Sequence, residues 1–133
     1  MMKFVIRGRY WKGEKTFPSL NDYIHALAKS PTSGAKIKKD HEKIACDAIR
    51  KHLKRQKAPC PVTLHYKFYE PQEGQIRDHM NVFSFADKVI EDALIKCGTI
   101  QDDSPQYVDG NKILHEFRYT SGTPYIEVEI VEL

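Results

Sequence analysis

One segment constrains this chain more than any other. Between His79 and Cys97, the residues Val82, Phe85, Ala86, Val89, Ile90, Ala93, Leu94 and Cys97 recur at the spacing of one face of an α-helix. Gly98 follows, where helices commonly end in a left-handed residue. A stripe this continuous must be buried, and the segments around it supply a partner surface. From Val62 to Tyr69, the residues Val62, Leu64, Tyr66 and Phe68 alternate with Thr63, His65, Lys67 and Tyr69, the two-residue period of a strand buried on one face. Lys112 to Thr120 alternates in the same way through Ile113, His115, Phe117 and Tyr119, and Tyr125 to Leu133 through Ile126, Val128 and Ile130.

The remaining elements follow from local signals. Lys3 to Arg9 reads as a first strand with Phe4 and Ile6 on one face, and Tyr10 to Pro18 as a polar loop. Ser19 is the expected N-cap of a short helix, Leu20 to Lys29, with Asp22 placed to form most of a capping box. The run Ser30-Pro31-Thr32-Ser33-Gly34 reads as a flexible stop. A second helix is expected from Ala35 to Arg55, with a buried stripe of Ile37, His41, Ile44, Ala45, Ala48, His52 and Leu53. Pro59 and Pro61 end it, and Pro71 to Gly74 is a loop. Ser121-Gly122-Thr123-Pro124 should join the last two strands as an antiparallel hairpin. The resulting order is βααβαββ. It places the chain in the α/β (α+β) class, as one domain over residues 1–133 with a small mixed sheet covered by helices.

Composition excludes several alternatives. With 41% apolar residues the chain can build a core, and no apolar run exceeds three residues, too short for a transmembrane helix. The three cysteines, Cys46, Cys60 and Cys97, match neither a disulfide framework nor a C-x-x-C zinc site. The first residues lack the apolar core of a secretory signal, so a soluble, reduced, cytoplasmic protein is expected. The net charge of +3 is small, but its distribution is uneven. Residues 34–57 hold nine basic side chains against three acidic ones, whereas Glu127, Glu129 and Glu132 close the chain. Such asymmetry points to a polyanion-facing surface or, more plainly, to a solvated helix face.

The chemistry of interest lies on the polar side of the third helix. Asn81, Ser84, Lys88 and Glu91 share one stripe, with Asp78 before the helix and Asp102 and Asp103 just after it. Carboxylates from separate segments, joined by a lysine, are what metal-dependent phosphodiester cleavage requires, because Mg²⁺ takes a few carboxylate oxygens and keeps several waters. Each residue also has a structural reading. Asp78 serves as an N-cap, Asp102-Asp103-Ser104-Pro105 as a turn, and Lys88 as a surface ion pair with Glu91 or Asp92. The six histidines lack zinc-ligand spacing, and no Gly-rich phosphate loop or G-x-S-x-G motif is present.

An ordered set of motifs resembles the RusA family of phage and prophage Holliday junction resolvases. The set runs Arg77-Asp78-His79-Met80-Asn81, Lys88-Val89-Ile90-Glu91-Asp92-Ala93-Leu94, Cys97-Gly98 and Asp102-Asp103. Leu20 to Ile24, then Gly34-Ala35-Lys36 and a basic helix, are similar to the Gram-positive phage branch, as is the spacing from Asn81 to Lys88. The resemblance implies a homodimeric endonuclease using Mg²⁺, with Mn²⁺ as an alternative metal. Such an enzyme nicks four-way DNA junctions symmetrically in recombination and repair.

By position, Asp78, Lys88 and Asp103 match the family's catalytic residues, with Asp78, Asp103 and Asp102 toward the metal and Asn81 and Glu91 in support. Lys36, Lys38, Lys39, Lys43 and Arg77 are the expected DNA contacts. The sequence departs at Met80, where the family usually has a second Asp, and a thioether offers a hard cation no oxygen. Asp102 or Glu91 then substitutes, or the chain is a branched-DNA-binding protein with an impaired active site.

Overall fold

The computed structural model describes residues 2–133. Strand β1 (Met2–Arg7) is followed by α1 (Leu20–Lys29), α2 (Pro31–Leu53), β2 (Val62–Pro71), α3 (His79–Lys96), β3 (Leu114–Thr120) and β4 (Tyr125–Glu132), with a single 3₁₀ turn at Gly110–Lys112. The expected order βααβαββ is observed, and the four strands form one mixed sheet.

The sheet order is β1-β4-β2-β3, which corrects the expected hairpin. β4 lies between β1 and β2 and is antiparallel to both, while β3 pairs in parallel with β2 on the far side. Burial explains the choice. Ile126, Val128 and Ile130 of β4 are almost wholly buried and belong in the centre of the sheet. The polar and charged β3, exposed along most of its length, suits an edge. α3 provides the crossover that a parallel pair needs.

The helices cover one face only. Phe4, Ile6, Leu64, Tyr66, Phe68, Val128 and Ile130 point into a core shared with Ala45, Ile49, Val89, Ile90 and Leu94 from the helices. The opposite face is open and carries charges paired across strands, Lys3 with Glu127 at 2.7 Å and Lys67 with Glu116 at 3.8 Å. There Arg7 lies over the Tyr125 ring at 4.2 Å.

The connection between α1 and α2, expected to be flexible, is a tight helical corner. Ser30 caps the end of α1 and the start of α2, accepting a hydrogen bond from the Ser33 amide at 3.0 Å, with Pro31 at the first helical position. Gly34 packs against Leu27, and a Cβ there would fall 2.2 Å from Leu27 Cδ2. The α1 capping box is complete: the Asp22 amide donates to Ser19 Oγ at 3.2 Å and the Ser19 amide to Asp22 Oδ2 at 2.9 Å.

α3 ends as its glycine implies. Gly98, at φ +75°, donates to the Ile95 carbonyl and Thr99 to that of Leu94, the double closure that satisfies a helix C-terminus. At the other end, α3 overhangs β3. The His79 imidazole stacks on Phe117 at 4.0 Å, extending the Phe68–Phe117 stack to a third ring, and its Nε2 is 2.6 Å from the Tyr119 hydroxyl. No helix is long and apolar enough to cross a membrane among the described residues.

Candidate active site

The residues expected to act together occupy both ends of α3. Asp78 is the N-cap, and its Oδ1 accepts a hydrogen bond from the Asn81 amide at 3.0 Å. Met80, where a second Asp would stand, is 55% exposed. From Asp78 to Lys88 the helix rises by roughly 15 Å, and to Glu91 by roughly 20 Å, at about 1.5 Å per residue. Within one chain, Asp78 and Asn81 therefore stand apart from Lys88 and Glu91.

A tighter grouping forms in the C-terminal half of α3. The carboxyl of Glu91 is pushed up to about 9, first by burial, then by its hydrogen bond with Asp87 and by the charges of Asp87, Asp103 and Asp92. Asp87 and Glu91 are successive turns of one helix face, and Asp103 arrives from the loop after α3. Tyr66, in the sheet beneath, donates its hydroxyl to Asp87 Oδ1 at 2.7 Å. Burial of that phenol, together with Asp87, raises its own ionisation well above the usual value.

Asp87 and Tyr66 are the site residues that sequence reasoning missed. Asp87 borders the apolar stripe of α3, and Tyr66 reads as an ordinary inward residue of β2. The available signal was the four-residue spacing between Asp87 and Glu91.

The other expected residues have defined surroundings. Lys88 is largely exposed and lies 3.5 Å from Asp92, which also binds Lys38 from α2 at 2.9 Å. Asp102 accepts a hydrogen bond from the Asp103 amide at 2.9 Å, and the Ser104 carbonyl accepts from Tyr107 and Val108. The hydrogen-bonded turn thus begins at Ser104, two residues later than the expected Asp102–Pro105, and the charge of Asp103 just before it acts on Glu91. Lys36 pairs with Asp40 at 2.9 Å, whereas Lys39 and Lys43 are exposed and have no ion pair among the described residues.

Arg77 does not present its charge to solvent, which corrects its reading as a DNA contact. Its guanidinium grips Glu70 through two hydrogen bonds, at 2.8 and 3.0 Å, and donates a third to the Phe17 carbonyl at 2.8 Å. Both side chains are about nine-tenths buried, and the fork is fully used in fixing the segment before α3.

No three His, Cys, Asp or Glu side chains form a ready-made metal cage among the described residues. The donors around Glu91, namely Asp87, Asp92 and Asp103, are carboxylates only, which is the chemistry of a hard cation. Mg²⁺ needs only one or two of them directly and fills its remaining positions with water. The donor set fits Mg²⁺ on those terms. The chain matches no model of a known protein family and no curated protein.

Proposed function

We propose that this chain is a Mg²⁺-dependent endonuclease that nicks branched DNA, with the four-way junction as its substrate. The observation that carries the reading is the acidic neighbourhood of Glu91, whose carboxyl feels the charges of Asp87, Asp103 and Asp92, with Lys88 on the same helix half. The ordered motifs that resemble the RusA family lend it support.

One or two of Asp103, Glu91 and Asp87 would hold the cation together with water, and the bound cation would activate water and offset charge on the scissile phosphate. Tyr66 holds Asp87 in place through its hydroxyl. Lys88, on a flexible and exposed stem, can leave Asp92 for a phosphate and stabilise the anionic transition state. Asp78 caps α3 within its own chain. It can reach this centre only from a second copy whose α3 runs antiparallel to the first, as in a two-fold dimer.

The test is nicking of a labelled synthetic four-way junction by purified protein, in Mg²⁺ and in EDTA, beside a linear duplex. Paired, metal-dependent nicks confined to the junction, and lost in Asp103→Asn, are expected. Nicking that persists in EDTA or in Asp103→Asn would overturn the assignment.

The exposed Met80 favours a second reading, a junction-binding protein with an impaired site. That reading expects binding without nicking, and cleavage gained on Met80→Asp. Failure of that substitution to raise cleavage removes it.

A further inference from the structure

The exposed lysines expected to face DNA lie in the first half of α2, yet the densest positive surface lies at its other end. Arg50, Lys54, Arg55 and Lys57 close over the C-terminus of α2, and Lys96 with Gly98 approaches from the end of α3. Together with Cys97 they line an open hollow of about 550 Å³. Among the described residues Arg50, Lys54, Arg55 and Lys57 have no ion pair, whereas Lys96 pairs with Glu42 at 3.4 Å. The loop is anchored, because the Ala58 amide donates to the Thr99 carbonyl at 2.8 Å.

Cations at a helix C-terminus ordinarily complement its dipole, about half a negative charge per helix. Two helix ends and Glu42 leave an excess of about three positive charges in this hollow. Those charges repel one another, and a polyanion relieves the repulsion. By contrast, Lys36 and Lys38 are already neutralised by Asp40 and Asp92. The hollow has no exposed large apolar residue on its lining, so it lacks the anchor that a lipid surface would engage.

We infer that this hollow seats the phosphodiester backbone of a nucleic-acid strand, using Arg50, Lys54, Arg55, Lys57 and Lys96. The inference deepens the nuclease reading and rests on it for its choice of nucleic acid. α3 ends at Lys96, five residues and roughly 7 Å beyond Glu91. At about 3.4 Å of rise per nucleotide, that span corresponds to about two nucleotides between the hollow and the carboxylates.

The test compares two triple variants by fluorescence anisotropy on a labelled four-way junction over a salt series. Arg55→Gln, Lys57→Gln and Lys96→Gln together empty the hollow, while Lys36→Gln, Lys39→Gln and Lys43→Gln together clear the first half of α2. The first triple should weaken binding by about tenfold or more and reduce the slope of log affinity against log salt by roughly two to three. The second should reduce that slope by less than about one.

Equal losses in the two triples, or a larger loss in the second, overturn the inference. Junction binding that follows the expected pattern without any nicking removes the nuclease reading and leaves the seat standing. Nicking by a first triple that binds like the parent does the reverse. A parent chain that binds no junction overturns both.

Discussion

Tyr66 and Asp87 are joined across the sheet–helix interface by a 2.7 Å hydrogen bond, the fully buried phenol donating to a carboxylate that also faces Glu91. This bond ties the acidic group of α3 to the most central part of the sheet, since Tyr66 lies in β2 between β4 and β3. Of the two carboxyls, Glu91 is the one whose ionisation is pushed up, first by its burial.

Glu91 makes that arrangement measurable. Its folded value of about 9 lies above the ordinary 4.5, so in that window the folded state holds a proton that the unfolded state has released. Stability should therefore fall as pH rises from about 5 to 9. Glu91→Gln, uncharged at every pH, should flatten the fall and gain about 1–2 kcal/mol at pH 8, after discount for the water-exposed part of the side chain. Asp87→Asn should bring Glu91 back toward the ordinary range, read by NMR titration. A Glu91 that titrates near 4.5 in the parent chain contradicts the grouping.

The separation of Asp78 from Asp103 along α3 predicts complementation. Asp78→Asn and Asp103→Asn chains should each lose nicking while retaining junction binding. If Asp78 acts from the second copy, mixed dimers of the two variants contain one intact site and should recover nicking on a single strand pair. Mixed dimers without activity confine Asp78 to capping α3.

His41 predicts acid sensitivity of the opposite sign. Its ring is buried among Trp11, Phe17 and Phe85, with centroids at 6.0, 5.1 and 6.2 Å. Its Nδ1–H donates to the Ile37 carbonyl at 2.8 Å, and Nε2 has no partner among the described residues. Burial lowers its affinity for a proton below the ordinary 6.5, against weaker opposing effects of Ile37 and Asp40. Between the folded and the ordinary value the unfolded chain binds a proton that the folded chain refuses. Stability should thus be lost as pH falls below about 6.5, with a slope of up to about 1.4 kcal/mol per pH unit. Denaturant melts of His41→Phe should lack that component.

Gly34 predicts a packing defect. A Cβ there meets Leu27 Cδ2 at 2.2 Å and the Leu27 Cα at 3.3 Å, so repacking the side chain alone does not clear it. Gly34→Ala should cost about 1–3 kcal/mol in thermal or chemical melts. Adding Leu27→Ala should recover part of that loss, because the nearer contact is removed.

Sequence periodicity alone determined the elements and most of the core. The stripe from Val82 to Leu94, the alternation from Val62 to Phe68 and the stop at Gly98 are local consequences of helix pitch, strand pleat and a glycine that adopts positive φ. Ser19 with Asp22 was legible for the same reason, since both capping bonds lie within four residues.

The sheet order was decided only in three dimensions. A short turn from Thr120 to Tyr125 suits a hairpin, but the better burial of Ile126, Val128 and Ile130 places β4 between two strands and sends β3 to the edge. Arg77 was misread because its partner Glu70 and the Phe17 carbonyl meet it only after folding. The acidic group was legible in part. Asp103 and Glu91 were named from their positions around α3, but the bond of Tyr66 to Asp87 and the charge of Asp103 beside Glu91 depend on how the helix lies on the sheet. Local order follows from the chain's own periodicity. Which distant charges become neighbours depends on which apolar faces find the deepest burial.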